Sequence, residues 1–148
     1  MTPIQACEET KELWTEMARL ARKGQAVRKH DVPGPWCLYK HNCPCCEYKV
    51  EITGLEKSGS FSLCTNYCPM NIEWELYATP GYDVCEALKS PYHQWYALCW
   101  SGSGNKTPLC IDVEFFCLLI AEMAEEARMR HIAESQPSLV EDKDIEYV

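Results

Sequence analysis

The stretch Cys43-Pro44-Cys45-Cys46-Glu47-Tyr48-Lys49-Val50-Glu51-Ile52-Thr53 decides how this chain reads. Its first half holds a C-x2-C pair, Cys43 and Cys46. In its second half Tyr48, Val50 and Ile52 alternate with polar residues, and a period of two predicts a strand. Residues 54–60, GLEKSGS, carry turn chemistry, and Ser60-Phe61-Ser62-Leu63 reads as the return strand. That strand runs directly into Cys64-Thr65-Asn66-Tyr67-Cys68-Pro69. The expected order is therefore cysteine pair, β-hairpin, cysteine pair.

Such an order suits a metal. Zinc takes four thiolates in a tetrahedron, with sulfur about 2.3 Å from the ion. Cys43 and Cys46 would give two ligands, Cys64 and Cys68 the other two. The 17 residues between the pairs fall within the usual gap of about 15–20 for a four-cysteine zinc pattern. Cys85 is an alternative fourth ligand, and Cys45 could replace a neighbour. A closed four-thiolate shell leaves no open position for water, so the expected zinc is structural. Its binding would supply on the order of 10–16 kcal/mol to a segment with few large apolar residues.

Working outward, Thr2-Pro3-Ile4-Gln5 has the form of a capping box with proline in the first turn. Leu13, Trp14, Met17, Ala18, Leu20 and Ala21 continue an amphipathic stripe, which predicts a helix over 3–23. Residues 25–42, containing Asp31-Val32-Pro33-Gly34-Pro35-Trp36, read as an extended connector. Ser90-Pro91 opens a second helix, and Thr107-Pro108 a third that runs to about 134 along Val113, Phe116, Cys117, Ile120, Ala121, Ala124 and Ala127. Pro137 bars its continuation. The expected fold class is α+β and mostly α-helical, about three helices around a small zinc-ribbon-like β-hairpin. One zinc-stabilised domain would cover 1–136, with an acidic, flexible tail at 137–148. Cys7, Cys99, Cys110 and Cys117 lie on helices and read as core thiols. The broad apolar face from Phe115 to Met123 would suit a homodimer.

The chain has 148 residues and 11 cysteines, an odd number that excludes complete intramolecular disulfide pairing. The start, MTPIQACEETKELW, is acidic and amphipathic, unlike a secretory signal. The longest apolar run, Phe115 to Ala121, is far short of the roughly 20 residues of a spanning helix. A cytoplasmic protein with reduced thiols is the expectation. Formal net charge is −8, which opposes non-specific binding to phosphates. Residues 1–50 carry +2 and residues 51–148 carry −10. The local exception is a basic stretch over 19–41, including Arg22, Lys23, Arg28 and Lys29. With Trp36 and Trp74 from the aromatic-rich middle, these are the candidate interaction residues. No H-E-x-x-H or G-x-S-x-G is present. The deaminase pattern P-C-x-x-C fails because Tyr48 stands where its second cysteine belongs.

The helix with Leu13-Trp14, then Cys43-x2-Cys46-Glu47-Tyr48, Cys64-x3-Cys68-Pro69, Trp74, Cys85 and Ser90-Pro91-Tyr92 with Trp95, together resemble a loose group. These are short cysteine-rich proteins encoded by bacteriophages and prophages. The likeness spans roughly residues 10–135; that group usually has C-x2-C at the second pair, where this chain has C-x3-C. The resemblance implies a phage accessory protein in the bacterial cytoplasm and carries no reaction with it. Three functions compete. The first is a non-enzymatic module binding a host or phage protein, host-modulating or anti-defence, supported by the closed metal site and the acidic surface. The second is a nucleic-acid-binding zinc ribbon using 19–41. The third is a small-ligand binder or enzyme.

Overall fold

The computed structural model describes residues 1–25, 28–39, 43–54, 66–77, 84–100 and 110–136. Helix α1 (Pro3–Arg22) starts at the capping box: Gln5 N–H donates to Thr2 Oγ1 at 3.1 Å, and Thr2 N–H donates to Gln5 Oε1 at 2.8 Å. Two 3-10 turns follow, Lys29–Asp31 and Pro35–Leu38. Helix α2 is Pro44–Thr53, α3 is Asn71–Glu75, α4 is Pro91–Trp100 and α5 is Cys110–Ser135, with a 3-10 turn at Val84–Glu86 before α4. At the start of α4, Ser90 Oγ accepts from His93 N–H at 3.1 Å and donates to the Cys85 carbonyl at 2.5 Å.

The expected α+β class is overturned: among the described residues every regular element is helical and there is no strand. The segment read as the first strand of a zinc ribbon is α2. Pro44 occupies its first position and Gly54 ends it in the left-handed conformation (φ 68°), donating to the Val50 carbonyl at 2.8 Å. The alternation misled because successive alternate residues turn 200° around a helix. Ile52 is therefore exposed and Val50 only half-buried, while Cys45 and Lys49, four residues apart, face inward. A short apolar run cannot separate strand from helix by period alone. The proposed turn, the return strand, the loop at 101–106, Thr107-Pro108 and the tail at 137–148 lie outside the described residues.

The core is a seam between α1 and α5. Ala6, Leu13, Trp14, Met17, Ala18 and Ala21 meet Val113, Cys117, Ile120, Ala121, Ala124 and Ala127, all buried. The many alanines let the two backbones approach closely. Ion pairs flank the seam: Glu8–Arg128 at 3.9 Å, Lys11–Glu125 at 3.2 Å and Arg22–Glu114 at 3.6 Å. As α1 advances by three and then eleven residues, the partner on α5 falls by three and then eleven. The helices are thus antiparallel and in constant register. Helix α4 packs on α5, and α2 packs on α1. Trp14 joins them, edge-on to Trp95 at 4.9 Å and to Tyr92 at 6.1 Å.

Smaller anchors fix the connections. Trp36 is 4% exposed and donates from Nε1 to the Val32 carbonyl at 2.7 Å. Its indole lies so close over Gly34 that any Cβ there would collide with the ring. Arg130 on α5 forks onto Glu73 of α3 at 2.9 and 3.0 Å and donates to the Pro69 carbonyl at 2.9 Å. His131 Nε2 shares that carbonyl at 2.6 Å. No helix among the described residues is long and apolar enough to cross a membrane.

Two outcomes test this packing. Gly34→Ala should cost about 1–3 kcal/mol of stability, as for an overpacked core, seen as a lower urea midpoint with an unchanged slope. Hydrogen bonds from Arg128 and Lys11 hold the Glu125 carboxyl down, from 4.5 to about 2. A depressed carboxylate contributes stability that is complete above its unfolded value and is lost as pH falls through its folded one. The stability difference between the native chain and Glu125→Gln should therefore be constant above about pH 5 and shrink progressively toward pH 2. A difference unchanged by acid would refute the pairing.

Candidate metal centre

The thiols gather where α2 begins, and the helix itself explains why. Cys43 is the residue before the first turn of α2, so the positive end of the helix lies beside it, without a side-chain cap hydrogen bond. Cys46, one turn on, donates its thiol proton to the Cys43 sulfur. A helix N-terminus favours negative charge, and cysteines so placed ionise easily. The neighbouring Cys46 thiol, with the Lys29 charge and the nearby N–H groups of the first turn, outweighs burial and brings Cys43 down to about 5. Cys46 moves the other way: donation to Cys43, burial and the neighbouring Cys43, Cys85 and Cys68 hold it protonated.

Behind this pair lies a second. The Cys68 thiol donates to Cys45, and that donation together with burial pushes Cys68 well up. Cys45 accepts from Cys68, but its contact with Cys7, its burial and the facing Cys43 charge together keep it protonated. Thr10 Oγ1 stands 3.3 Å from the Cys45 sulfur. Cys7 and Thr10 both belong to α1, so the second pair ties α2 to the main seam. Cys85 enters from the 3-10 turn before α4, within electrostatic reach of Cys46 and of Tyr92.

Lys29 supplies the countercharge. Its Nζ lies 4.8 Å above the Tyr92 ring and 3.4 Å from the Tyr92 hydroxyl. Burial opposes its charge, yet Cys43, Tyr92 and Cys46 outweigh that and raise its pKa. Burial likewise raises Tyr92, partly offset by Lys29.

Among the expected ligands, Cys43, Cys46 and Cys68 come into one neighbourhood, joined by the alternative Cys85. Cys64 lies outside the described residues. Among the described residues no three His, Cys, Asp or Glu side chains form a group arranged to hold a metal. What is present is two thiol pairs of the right chemistry, with a cation facing the anionic one. The donor set fits zinc in kind: soft sulfur, one thiolate formed near neutral pH, and Lys29 placed to offset the excess negative charge of a four-thiolate centre.

The candidate interaction residues are scattered. Arg22 is exposed and pairs with Glu114, Lys23 and Arg28 are exposed, and Lys29 turns inward to the thiols. Trp36 and Trp74 are 4% and 5% exposed and belong to the core. The exposed apolar side chains near them are Leu38, Ile72 and Leu76. Sequence reasoning missed Lys29, Tyr92, Thr10 and Cys7 as neighbours of the cysteines. For Cys7 a signal existed: it shares the inward stripe of α1 with Thr10. For Lys29 none did, because a turn and a connector bring it round to Cys43. Compared with protein-family models, curated proteins and solved structures, the chain matches none.

Iodoacetamide labelling of reduced, chelator-stripped protein tests the electrostatics. Cys43 should react with a pH midpoint near 5. Lys29→Met should raise that midpoint by roughly one unit or more, because an opposite charge is lost. An unmoved midpoint would mean Lys29 does not act on Cys43.

Proposed function

We propose that this protein is a zinc-stabilised, non-enzymatic interaction module of the phage-accessory type, working in the bacterial host cytoplasm. One observation carries the metal half. Cys43, Cys68 and Cys85, drawn from three separate segments, all lie within electrostatic reach of Cys46, and Lys29 interacts with Cys43 and Cys46. Ordinary core thiols need no cation beside them and no helix N-terminus to hold a thiolate. Zinc at Cys43, Cys46 and Cys68, with Cys64 or Cys85 as fourth ligand, accounts for both. The interaction half is supported by the net charge of −8 and by the exposed Leu38, Ile72 and Leu76. An acidic surface with isolated apolar points suits a basic partner protein. Nucleic-acid binding through 19–41 is less favoured, because Arg22 is engaged by Glu114 and Lys29 by the thiols.

Elemental analysis of the full chain decides the metal. About one zinc per chain is expected, lost with helicity on Cys46→Ser. Loss on Cys64→Ser but not Cys85→Ser would assign the fourth ligand to Cys64, and the reverse to Cys85. A folded chain free of zinc in every preparation would end the reading. For the partner, a stoichiometric host protein whose binding weakens with salt is expected on zinc-loaded protein; binding only to DNA or RNA would favour the rejected alternative.

A further inference from the structure

We infer that the outer stripe of α5 is a docking surface for an amphipathic helix of a basic partner protein. The inference rests on the interaction-module reading and adds to it the surface and the chemistry of the partner. Ile111, Phe115, Leu118, Glu122, Glu126 and Met129 follow one another along α5 in steps of four and three, and all of them are exposed. Such steps keep residues on one face of a helix. The opposite face, with Val113, Cys117, Ile120, Ala124 and Ala127, fills the seam with α1. Ile111 is 81% exposed and Phe115 59%. Single exposed apolar residues need no explanation, whereas an apolar row rimmed by polar residues has the form of a protein-binding surface. The Phe115 ring meets Phe116 edge-on at 5.2 Å, and Phe116 packs against the core. Phe115 is thus held on a fixed base, so it loses little side-chain freedom when a partner covers it.

Charge selects the occupant. On α5, Glu114 pairs with Arg22, Glu125 with Lys11 and Arg128, and Glu134 with Arg130. Asp112, Glu122 and Glu126 have no ion pair among the described residues, and Glu122 and Glu126 lie on the stripe itself. They stand four residues apart, a spacing at which like charges repel across one helical turn. The two cations of α5, Arg128 and Arg130, are turned to other carboxylates. Helix α4, which packs on α5, contributes no lysine or arginine. A Lys or Arg laid between Glu122 and Glu126 would relieve their repulsion. A second copy of this chain would bring the same carboxylates, and a phosphate backbone would bring more negative charge. What fits is a helix with apolar residues four and three apart against Ile111, Phe115 and Leu118, the usual spacing of anchors on a docking helix. Its Lys or Arg residues would follow one and two turns further along, against Glu122 and Glu126.

The test uses the full-length chain and two fluorescent peptides of about 20 residues, long enough to hold a helix. Both carry Leu at the three anchor positions; one carries Lys and the other Glu at the two positions beyond. Fluorescence anisotropy should show the Lys peptide binding, with an affinity that falls as salt rises, and the Glu peptide weaker by about tenfold or more. Phe115→Ser should weaken the Lys peptide about tenfold or more, as loss of an aromatic anchor does. Glu122→Lys combined with Glu126→Lys should exchange the preference, so that the Glu peptide binds and the Lys peptide does not. Leu76→Ser, at the exposed end of α3, should change neither. Equal binding of both peptides, a preference that charge reversal leaves alone, or loss on Leu76→Ser in place of Phe115→Ser would overturn the assignment. So would sedimentation showing a dimer that Phe115→Ser disperses, since a second copy would then cover the stripe. A host protein held equally by the native chain and by Phe115→Ser would overturn this surface and leave the interaction reading intact. A zinc-loaded chain that binds only DNA or RNA would end both. All the substituted side chains are exposed; should one variant lose helicity by circular dichroism, the peptide preference of the native chain and the other variants still decide.

Discussion

The antiparallel seam of α1 and α5 is the constraint on which the other contacts depend. Its register is set twice over, by alanine-lined packing inside and by the three ion pairs along its edge. The ion pairs are exposed enough to add little free energy, but they discriminate register, because a slip of one residue would misplace all of them at once. The apolar seam does the stabilising, at about 25 cal/mol per Å² of apolar surface removed from water. Once the seam exists, Trp14 presents its ring to α4, Thr10 and Cys7 face α2, and Arg130 reaches α3. Each short helix is thus held against the seam rather than by a core of its own.

That dependence explains the cysteines. Helix α2 buries Pro44, Cys45 and Lys49 and little else. A ten-residue helix with so small an apolar face is marginal in isolation. Its attachment comes through sulfur: Cys45 to Thr10, Cys7 and Cys68, Cys43 and Cys46 toward Lys29 and Cys85. The thiols act as a second, polar core placed where the hydrophobic one runs out.

The long elements were legible in the sequence because each has many turns to average over. Helix α1 begins at the capping box that Thr2 and Gln5 announce, and α5 buries nearly the positions its steps of three and four select. Pro91 at the start of α4 was equally plain. The failure at Tyr48 to Ile52 is a matter of length: five residues of alternation fit a strand, but the same residues fit three sides of a helix. Proline after Cys43 suits a helix start, and that signal was present beside the alternation. The spacing of Cys43 and Cys46 was informative for a different reason than expected. A separation of three residues is one helical turn, so the pair meets on a helix as well as on a ribbon knuckle. The neighbourhood of Cys68 and Cys85 was half visible, as the candidates for one site. Lys29 was not, because nothing local marks a lysine as turned inward.

Lys29 also changes what the acidic balance means. A buried thiolate without a counterion would be costly in a chain already at −8. Placed over the Tyr92 ring and near Cys43, Lys29 offsets the Cys43 charge inside the fold. The basic stretch around it is therefore divided by role. Its inward member serves the thiol cluster, and the exposed Arg22 pairs with Glu114. What reads in sequence as one patch for an external anion is in the folded chain divided, with Lys29 turned inward, Arg22 paired at the surface, and Lys23 and Arg28 exposed.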